Sequence, residues 1–557
     1  VKQRNLFQQT ISVLFLLLAA AAPGLAQKKG LAAIQAKDMV LPLRFLSAQE
    51  LQGRNTPSCG LNIAARYLAL NAERAGLRPL LPGGSFFQEL AVEVSSVSAN
   101  RSWLRLTAEG KEQRYFCPRD FGLTRIPAAG RVEGKLIFLG LGLAAAHLQW
   151  NDIGPADLKD KIAVILDATL PKDHILKPEQ NRAILMSRTL ELRRRGAAAV
   201  IKVISREREA EMARRGLDFD LELRTNFPDL KIEQPAGMPA SPFGQASESP
   251  TLFPEIEVRR AAAASLLGIA PEELEGWTDD LLQGRQVPQR EFPGRTLEIS
   301  LALDKRPEKT WNVVGVREGR DPALKNEYIV LTAHYDHVGA REGVVRPGSD
   351  DNASGSVALL EIAEALSLEQ PRRSVVFAWL TAEEKGLLGS YGLLARGSLP
   401  ADRISADINL DMISRNAADF VYLIGSDVLS SELDQSVKAM NERFIHLKLD
   451  YSLASPSHPQ RFFMRSDHYP FIRYGIPSLC LSGGIHPDYH QEGDTSDKAD
   501  FRKMENVARL AYLVAWDLAN RPALLKLDIN PEVTQRGAQN LKHNWLQPPP
   551  KPALPKK

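Results

Sequence analysis

Cysteine is scarce in this chain: Cys59, Cys117 and Cys480 are the three in 557 residues. Three thiols cannot build a disulfide framework, which excludes a small stapled scaffold. Cys480, in the apolar run PSLCLS, reads as a buried small hydrophobe, and whether Cys59 and Cys117 pair is open. An excess of one charge is also missing. A formal net charge of +3, with no basic tract interleaved with aromatics, gives no electrostatic footprint for nucleic acid. The densest basic run, ELRRRG at 191–196, reads as a solvated helix end. Long apolar runs are almost absent. The run Ile11–Ala22 is short for a bilayer span. Lys2 and Arg4 precede it and Gly24-Leu25-Ala26 follow, the pattern of a secretory signal cleaved near Ala26. No cysteine follows the run, which argues against a bacterial lipid anchor. The expectation is an exported chain, periplasmic or secreted, with no stable membrane insertion. No internal repeat and no G-x-S-x-G elbow occur, so an α/β-hydrolase serine nucleophile is not indicated.

What is present is ordinary globular material, 44% hydrophobic and 25% charged, in a chain too long for one core. The run LNIAARYLALNAERAGL ends a helical opening that spans Ser47 to Gly76, and strand-like alternation follows in FFQELAVEVSSV and SWLRLTAEG. From Gly130 a β–β–α–β pattern begins (GKLIFLGLG, DKIAVILDA, a helix over Ala183–Arg195, AAAVIKVIS), then a Gly/Pro/Ser-rich stretch from Gln234 to Pro250. From Thr296 strands alternate regularly with helices, the sign of an α/β layer with a largely parallel sheet. The expected fold class is α/β, a mostly parallel mixed sheet flanked by helices, with an inserted smaller β-rich α/β domain. The expected bounds are a signal at 1–26, an N-terminal part at 27–129, an insert at 130–290, the main part at 291–525 and a Pro-rich tail at 526–557.

Candidate chemistry lies where apolar runs end. His334 stands in HYDHVG, Asp351 in PGSDDNASG, Glu383 and Glu384 in TAEEKG, Asp411 in NLDM and His490 in HPDYHQEGDT. In parallel sheets, sites form at the carboxyl ends of strands, so these distant residues converge on one edge. Five are ligand types suited to zinc, and adjacent glutamates can divide the roles of ligand and base. Taken alone, each has a plainer reading. Asp350 or Asp351 in a turn opening a helix is often a cap, an EE pair is often solvated, and His486 competes with His490 as a ligand. Asp336, two residues from His334, points the same way in extended chain and can accept the spare imidazole N–H. Ser466-Asp467-His468 has the residue types of a serine triad, but three consecutive residues cannot converge in that way, and they read as pocket wall.

The order H-x-D, DD-A-SG, EE, LDM, H resembles the co-catalytic zinc aminopeptidase superfamily, which includes bacterial leucyl aminopeptidases, glutamate carboxypeptidase II and the transferrin receptor. The resemblance covers about residues 45–120 and 295–520. It implies two Zn2+ ions: His334 and Asp411 hold one, Glu384 and His490 the other, and Asp351 bridges them. It makes Glu383 the general acid/base and Asp336 the orienter of His334. The implied activity is hydrolysis of peptide substrates, most simply as an aminopeptidase. A carboxypeptidase, a glutaminyl cyclase-like transferase and a non-catalytic receptor-like protein are the alternatives. The insert resembles a protease-associated domain. Side-chain preference and oligomeric state are not legible.

Overall fold

Two sheets organise the chain in the computed structural model, which describes residues 29–537 apart from 124–128, 179, 227–251, 342, 396, 398, 457 and 459. The expected signal segment, the Gln234–Pro250 stretch and the last part of the Pro-rich tail lie outside the described residues. Residues 526–537 are docked: Val533 is buried, and Asp528 accepts the Ser431 N–H at 2.8 Å.

The larger sheet contains, in chain order, β1 (Phe87–Val97), β2 (Glu222–Asn226), β3 (Leu303–Arg317), β4 (Tyr328–His334), β5 (Ser374–Leu380), β6 (Ile404–Leu410), β7 (Phe420–Ile424), β8 (Lys448–Asp450) and β9 (Ser478–Ser482). Its spatial order is β2-β1-β3-β5-β4-β6-β9-β7-β8, and the short Arg78–Pro79 segment pairs with β3. Parallel pairing joins the central strands β5-β4-β6-β9 and the edge pair β7-β8, while β2, β1 and β3 on one side pair antiparallel, as do β9 and β7. The central strands are buried along their whole length, which is why they read as continuous apolar runs and not as alternation.

Side-chain parity divides two helical layers. Ile329, Leu331 and Ala333 of β4 share a core with α1 (Ala36–Leu46), α2 (Cys59–Arg74), α3 (Gly355–Ser367) and the closing α7 (Phe501–Asn520). Val330 faces the other way, into a core with α4 (Leu388–Ala395) and α6 (His468–Arg473). Between them in sequence, α5 (Ser431–Met440) adds Leu433 and Val437 to the first layer. Local signals set the helix starts. Ser58 accepts the Leu61 N–H ahead of α2, and Asp500 accepts the Arg502 and Lys503 N–H groups ahead of α7, caps worth about 1 kcal/mol each. Trp379 of β5, fully buried, donates Nε1–H to the Ser356 carbonyl at 2.9 Å and so ties α3 to the sheet; truncation to alanine would cost about 3–5 kcal/mol. The expected opening from Ser47 to Gly76 holds a short 3-10 segment (Gln49–Arg54) and α2, while α1 lies wholly ahead of Ser47.

The second sheet has eight strands and its own core. It does not keep to 130–290. Trp103–Ala108 pairs antiparallel with Arg290–Leu301, and Lys111–Phe116 and Phe121–Leu123 join the same sheet. The strand-like alternation at 103–108 says that one face is buried but not which sheet it joins, and the second sheet reaches beyond the expected 130–290 at both ends. Among the described residues, no helix is long and apolar enough to cross a membrane. Cys59, Cys117 and Cys480 are free thiols, with Cys117 and Cys480 buried.

Candidate metal centre

The parallel strands β4, β5, β6 and β9 all end on one edge of the larger sheet. His334 is the last residue of β4, Glu383 and Glu384 follow β5, Asp411 follows β6, and His490 lies on the loop after β9. Asp351 reaches the same edge from the turn ahead of α3. All seven residues singled out in the sequence, Asp336 included, therefore meet in one place.

Six of them, all but Asp336, gather with His337 into two groups whose potential ligand atoms lie within 4.8 Å of one another: His334, Glu383 and Asp411 in one, and His337, Asp351, Glu384 and His490 in the other. Asp351 touches both. Its Oδ1 is 3.3 Å from His334 Nε2, and its Oδ2 is 3.0 Å from His490 Nε2. His334 Nε2 is also 3.3 Å from Asp411 Oδ1, and His490 Nε2 is 3.0 Å from Glu384 Oε1. Ligands about 2.0–2.1 Å from a tetrahedral Zn2+ stand about 3.3 Å apart, so these edges fit the ion. His490 Nε2, between two carboxylate oxygens, makes a well-directed hydrogen bond with neither. His490 Nε2, Asp351 and Glu384 thus stand as possible ligands of one candidate cation site.

The electrostatics agree. Burial disfavours an imidazolium at His334, but Glu383, Asp411 and Asp351 outweigh it and raise its pKa well above the usual value. At His490 the same opposition, with Glu384 and Asp351 prevailing over burial, pushes the pKa up to about 10. Burial and the neighbouring Asp351 work to raise Glu384, yet His490 and His337 bring it down to about 2. Burial opposes ionisation of Asp351, but the neighbouring His334 and His490 outweigh it and hold the carboxyl well below the usual carboxylate range. The cluster has a surplus of carboxylates and holds protons on its histidines to offset it, a role that a divalent cation fills better. Glu383 goes the other way. Burial, with Glu384, Asp411 and Asp467 nearby, raises it well above a normal glutamate despite His334. An acid kept ready to hold a proton is suited to acid/base work.

Several details differ from the sequence reading. The Asp336 carboxylate is 3.8 Å from His334 Nδ1, and the Asp336 carbonyl oxygen is closer, at 3.1 Å. The carboxylate instead accepts the Glu383 backbone N–H at 3.1 Å and the Thr56 hydroxyl at 3.1 Å. The chain leaves the strand at His334, so the two-residue parity no longer applies. His337 was missed; its Nδ1 is 3.0 Å from Glu384 Oε1. Its one signal was a second histidine three residues after His334 in the same strand-end loop. His486 is not in either group and lies 3.3 Å from Asp350. Asp350 turns away from the cluster and accepts the Ser414 N–H and hydroxyl at 2.6 and 2.7 Å. Ser466 belongs to the pocket wall and donates to Asp411 Oδ2 at 2.6 Å, while Asp467 and His468 are buried. The cluster opens into a cleft walled on its apolar side by Met412, Ile424, Phe462 and Ile485. Tyr489, at its rim, stacks on His490 at 3.8 Å and accepts a hydrogen bond from Arg465.

This is an α/β protein whose central strands deliver histidines and carboxylates into two adjoining candidate metal-holding groups. Residues 312–515 match the model of peptidase family M28. Leucine aminopeptidase 2 of Trichophyton rubrum is 29% identical over 268 residues, which are 42% of this chain and 52% of that protein. A probable leucine aminopeptidase 2 of Aspergillus oryzae is 36% identical over 195 residues, 34% of this chain and 37% of its own length. The chain thus spans about half the length of the curated relatives it matches. Among solved structures, an aminopeptidase from Aneurinibacillus sp. strain AM-1 superposes with a TM-score of 0.51 at 19% identity, over 92% of this chain and 99% of that one. A zinc aminopeptidase from Bacillus subtilis gives 0.53 at 18% identity, over 89% and 99%. At these identities the structural likeness establishes the fold.

Proposed function

We propose that the chain is an exported di-zinc aminopeptidase. The observation that carries this reading is Asp351, whose two oxygens face two separate sets of ligand atoms. In this reading His334 and Asp411 hold one ion, Glu384 and His490 the other, and Asp351 serves both. The ions supply Lewis acidity and an acidified water at neutral pH. The chain's own residues do the rest. Glu383, the carboxylate that this reading leaves free of metal, takes a proton from the attacking water and returns it to the leaving amine. Asp336 and Thr56 hold the Glu383 backbone in place. The cleft's Met412, Ile424 and Phe462 wall receives an apolar side chain and sheds water from the reacting bond. The unit built on the second sheet is read as a protease-associated module, and export rests on the pattern at residues 1–26.

The test is a screen of zinc-loaded protein against leucine peptides with free and acetylated amines, alongside metal analysis. Free-amine substrates should be cleaved and blocked ones spared, with about two zincs per chain, the two-metal arrangement. Equal cleavage of both sets removes the aminopeptidase reading in favour of a carboxypeptidase. One zinc, with ring closure of N-terminal glutamine, favours a cyclase. No turnover with bound metal favours a receptor-like protein.

A further inference from the structure

The metal-holding groups rest on a strap that lies far outside residues 312–515. It is the segment Gly53–Thr56 between α1 and α2. Gln52, Gly53 and Arg54 all have left-handed backbone, with φ of 52°, 66° and 50°. Such a run is costly for residues with a Cβ and persists only where surroundings enforce it. Here it is enforced by close approach: a Cβ on Gly53 would lie 2.4 Å from the Arg346 carbonyl oxygen.

The twist aims the Arg54 side chain inward, where it is 1% exposed. Its Nε donates to the Tyr335 carbonyl at 2.8 Å, Nη1 to Pro347 at 2.7 Å and Nη2 to Gly348 at 2.8 Å, and Nη1 also donates to Leu46. Tyr335 sits between His334 and Asp336, and Gly348 opens the turn that delivers Asp351. One planar guanidinium therefore spans the loop after β4 and the turn ahead of α3. The strap backbone repeats the link: the His337 N–H donates to the Arg54 carbonyl at 3.2 Å, and the Gly339 N–H to Gly53 at 3.1 Å. Thr56 adds the bond to Asp336, which in turn holds the Glu383 N–H. A buried cation hydrogen-bonded to carbonyls alone is expensive unless charges further off support it. The groups that do so are Asp494, Asp336, Asp351 and Glu384, against a burial effect that lowers Arg54 to about 10.

We propose that Arg54 is a positioning residue of the metal centre, fixing the His334–His337 loop relative to Asp351, and that Thr56 extends the same strap to the Glu383 backbone through Asp336. This rests on the di-zinc reading above. Lysine keeps the charge but presents its three N–H groups from a single nitrogen, so it cannot span carbonyls that a fork reaches.

The test compares Arg54→Met, Arg54→Lys and Thr56→Val with the wild type. Zinc affinity is read by competition with a chromophoric chelator, kcat and KM on a leucine anilide, and folding by near-ultraviolet circular dichroism. Arg54→Met should bind zinc at least ~10-fold more weakly and lose kcat by at least ~10-fold, with KM changed less than about threefold. Arg54→Lys should recover part of both. Thr56→Val should keep zinc affinity while kcat falls about threefold or more. A folded Arg54→Met protein with wild-type zinc affinity and kcat overturns the inference. If Arg54→Met does not fold, Thr56→Val decides: an unchanged kcat overturns the strap's reach to Glu383, and a selective loss of kcat supports it. A wild type that binds zinc but ignores leucine substrates defeats the peptidase reading alone, since the affinity comparison still reports on the strap.

Discussion

Asp494 is where the carboxylate turn is held from behind, and its replacement by alanine gives a worked test of that support. The side chain is fully buried. Its Oδ1 accepts the Asp350 N–H at 2.9 Å, and Oδ2 accepts the N–H groups of Asp350 and Asp351 at 3.1 Å each. Alanine strands two buried donors, at about 1–3 kcal/mol apiece. Part of this is recovered, because burial and the neighbouring Asp350 already raise the Asp494 pKa, so its charge is held at a cost. The expected loss for metal-free protein is about 2–4 kcal/mol. Asparagine keeps one oxygen able to serve both donors, and about 1 kcal/mol is expected. Urea unfolding of chelator-treated protein measures these values. A second titration in excess zinc measures the consequence for Asp351. A tenfold weaker site yields about 1.4 kcal/mol less stabilisation at a fixed saturating concentration. If the alanine variant stays within about 0.5 kcal/mol of wild type and gains as much from zinc, the turn does not depend on Asp494 and the reasoning is wrong.

Glu383→Gln should retain zinc while kcat falls ~100-fold or more, as expected for loss of a general base; near-normal turnover would take Glu383 out of that role. Removing zinc by chelation and dialysis should lower the melting temperature, and adding zinc back should restore it. No shift in either direction would mean the groups around Asp351 hold no ion in solution. Glu361 of α3 offers a test by pH. Burial first, then Glu364 and Asp38, raise it to about 7 from 4.5. The folded form binds this proton more tightly than the unfolded form, so the contribution is complete below pH ~4.5 and is lost as pH rises through ~7. Glu361→Gln should therefore be more stable than wild type at pH 8.5, by about 1–3 kcal/mol, with the difference gone at pH 4. An equal difference at both pH values would show that the carboxyl is not strained.

The parts of the site legible in sequence were those attached to regular structure. His334, Glu383, Glu384 and Asp411 follow apolar runs that are strands buried on both faces, so ending a run placed each of them on the same edge. Asp351 was found through the helix it precedes. What escaped depends on loop paths and backbone contacts. His337 faces Glu384 because of how the loop after β4 turns, which spacing alone does not encode. Arg54 binds carbonyl oxygens, which every residue possesses, so no complementary side chain in the sequence points to it. The Asp336 carboxylate turned to Glu383 for the same reason that parity ends where a strand does. In the fold, alternation marked the strand at 103–108 but carried no information about its sheet.

The junction between the sheets has a consequence for how this chain can be cut and rejoined. Val97 and Leu303 are direct partners on neighbouring strands, and the Ser98 N–H donates to the Ala302 carbonyl at 2.9 Å. The second sheet thus leaves and re-enters the first at a single rung of one ladder, as an oversized hairpin loop. A two-residue Asn-Gly turn could close that rung and keep β1 and β3 in register. One strand resists such excision. β2 returns from the inserted stretch to cover the outer edge of β1, and its Thr225 hydroxyl donates to the Thr56 carbonyl at 3.0 Å. A shortened chain lacking β2 would expose a sticky edge and loosen the strap beneath the candidate metal centre. The inserted module is detachable in topology, but it leaves one structural member embedded in its host.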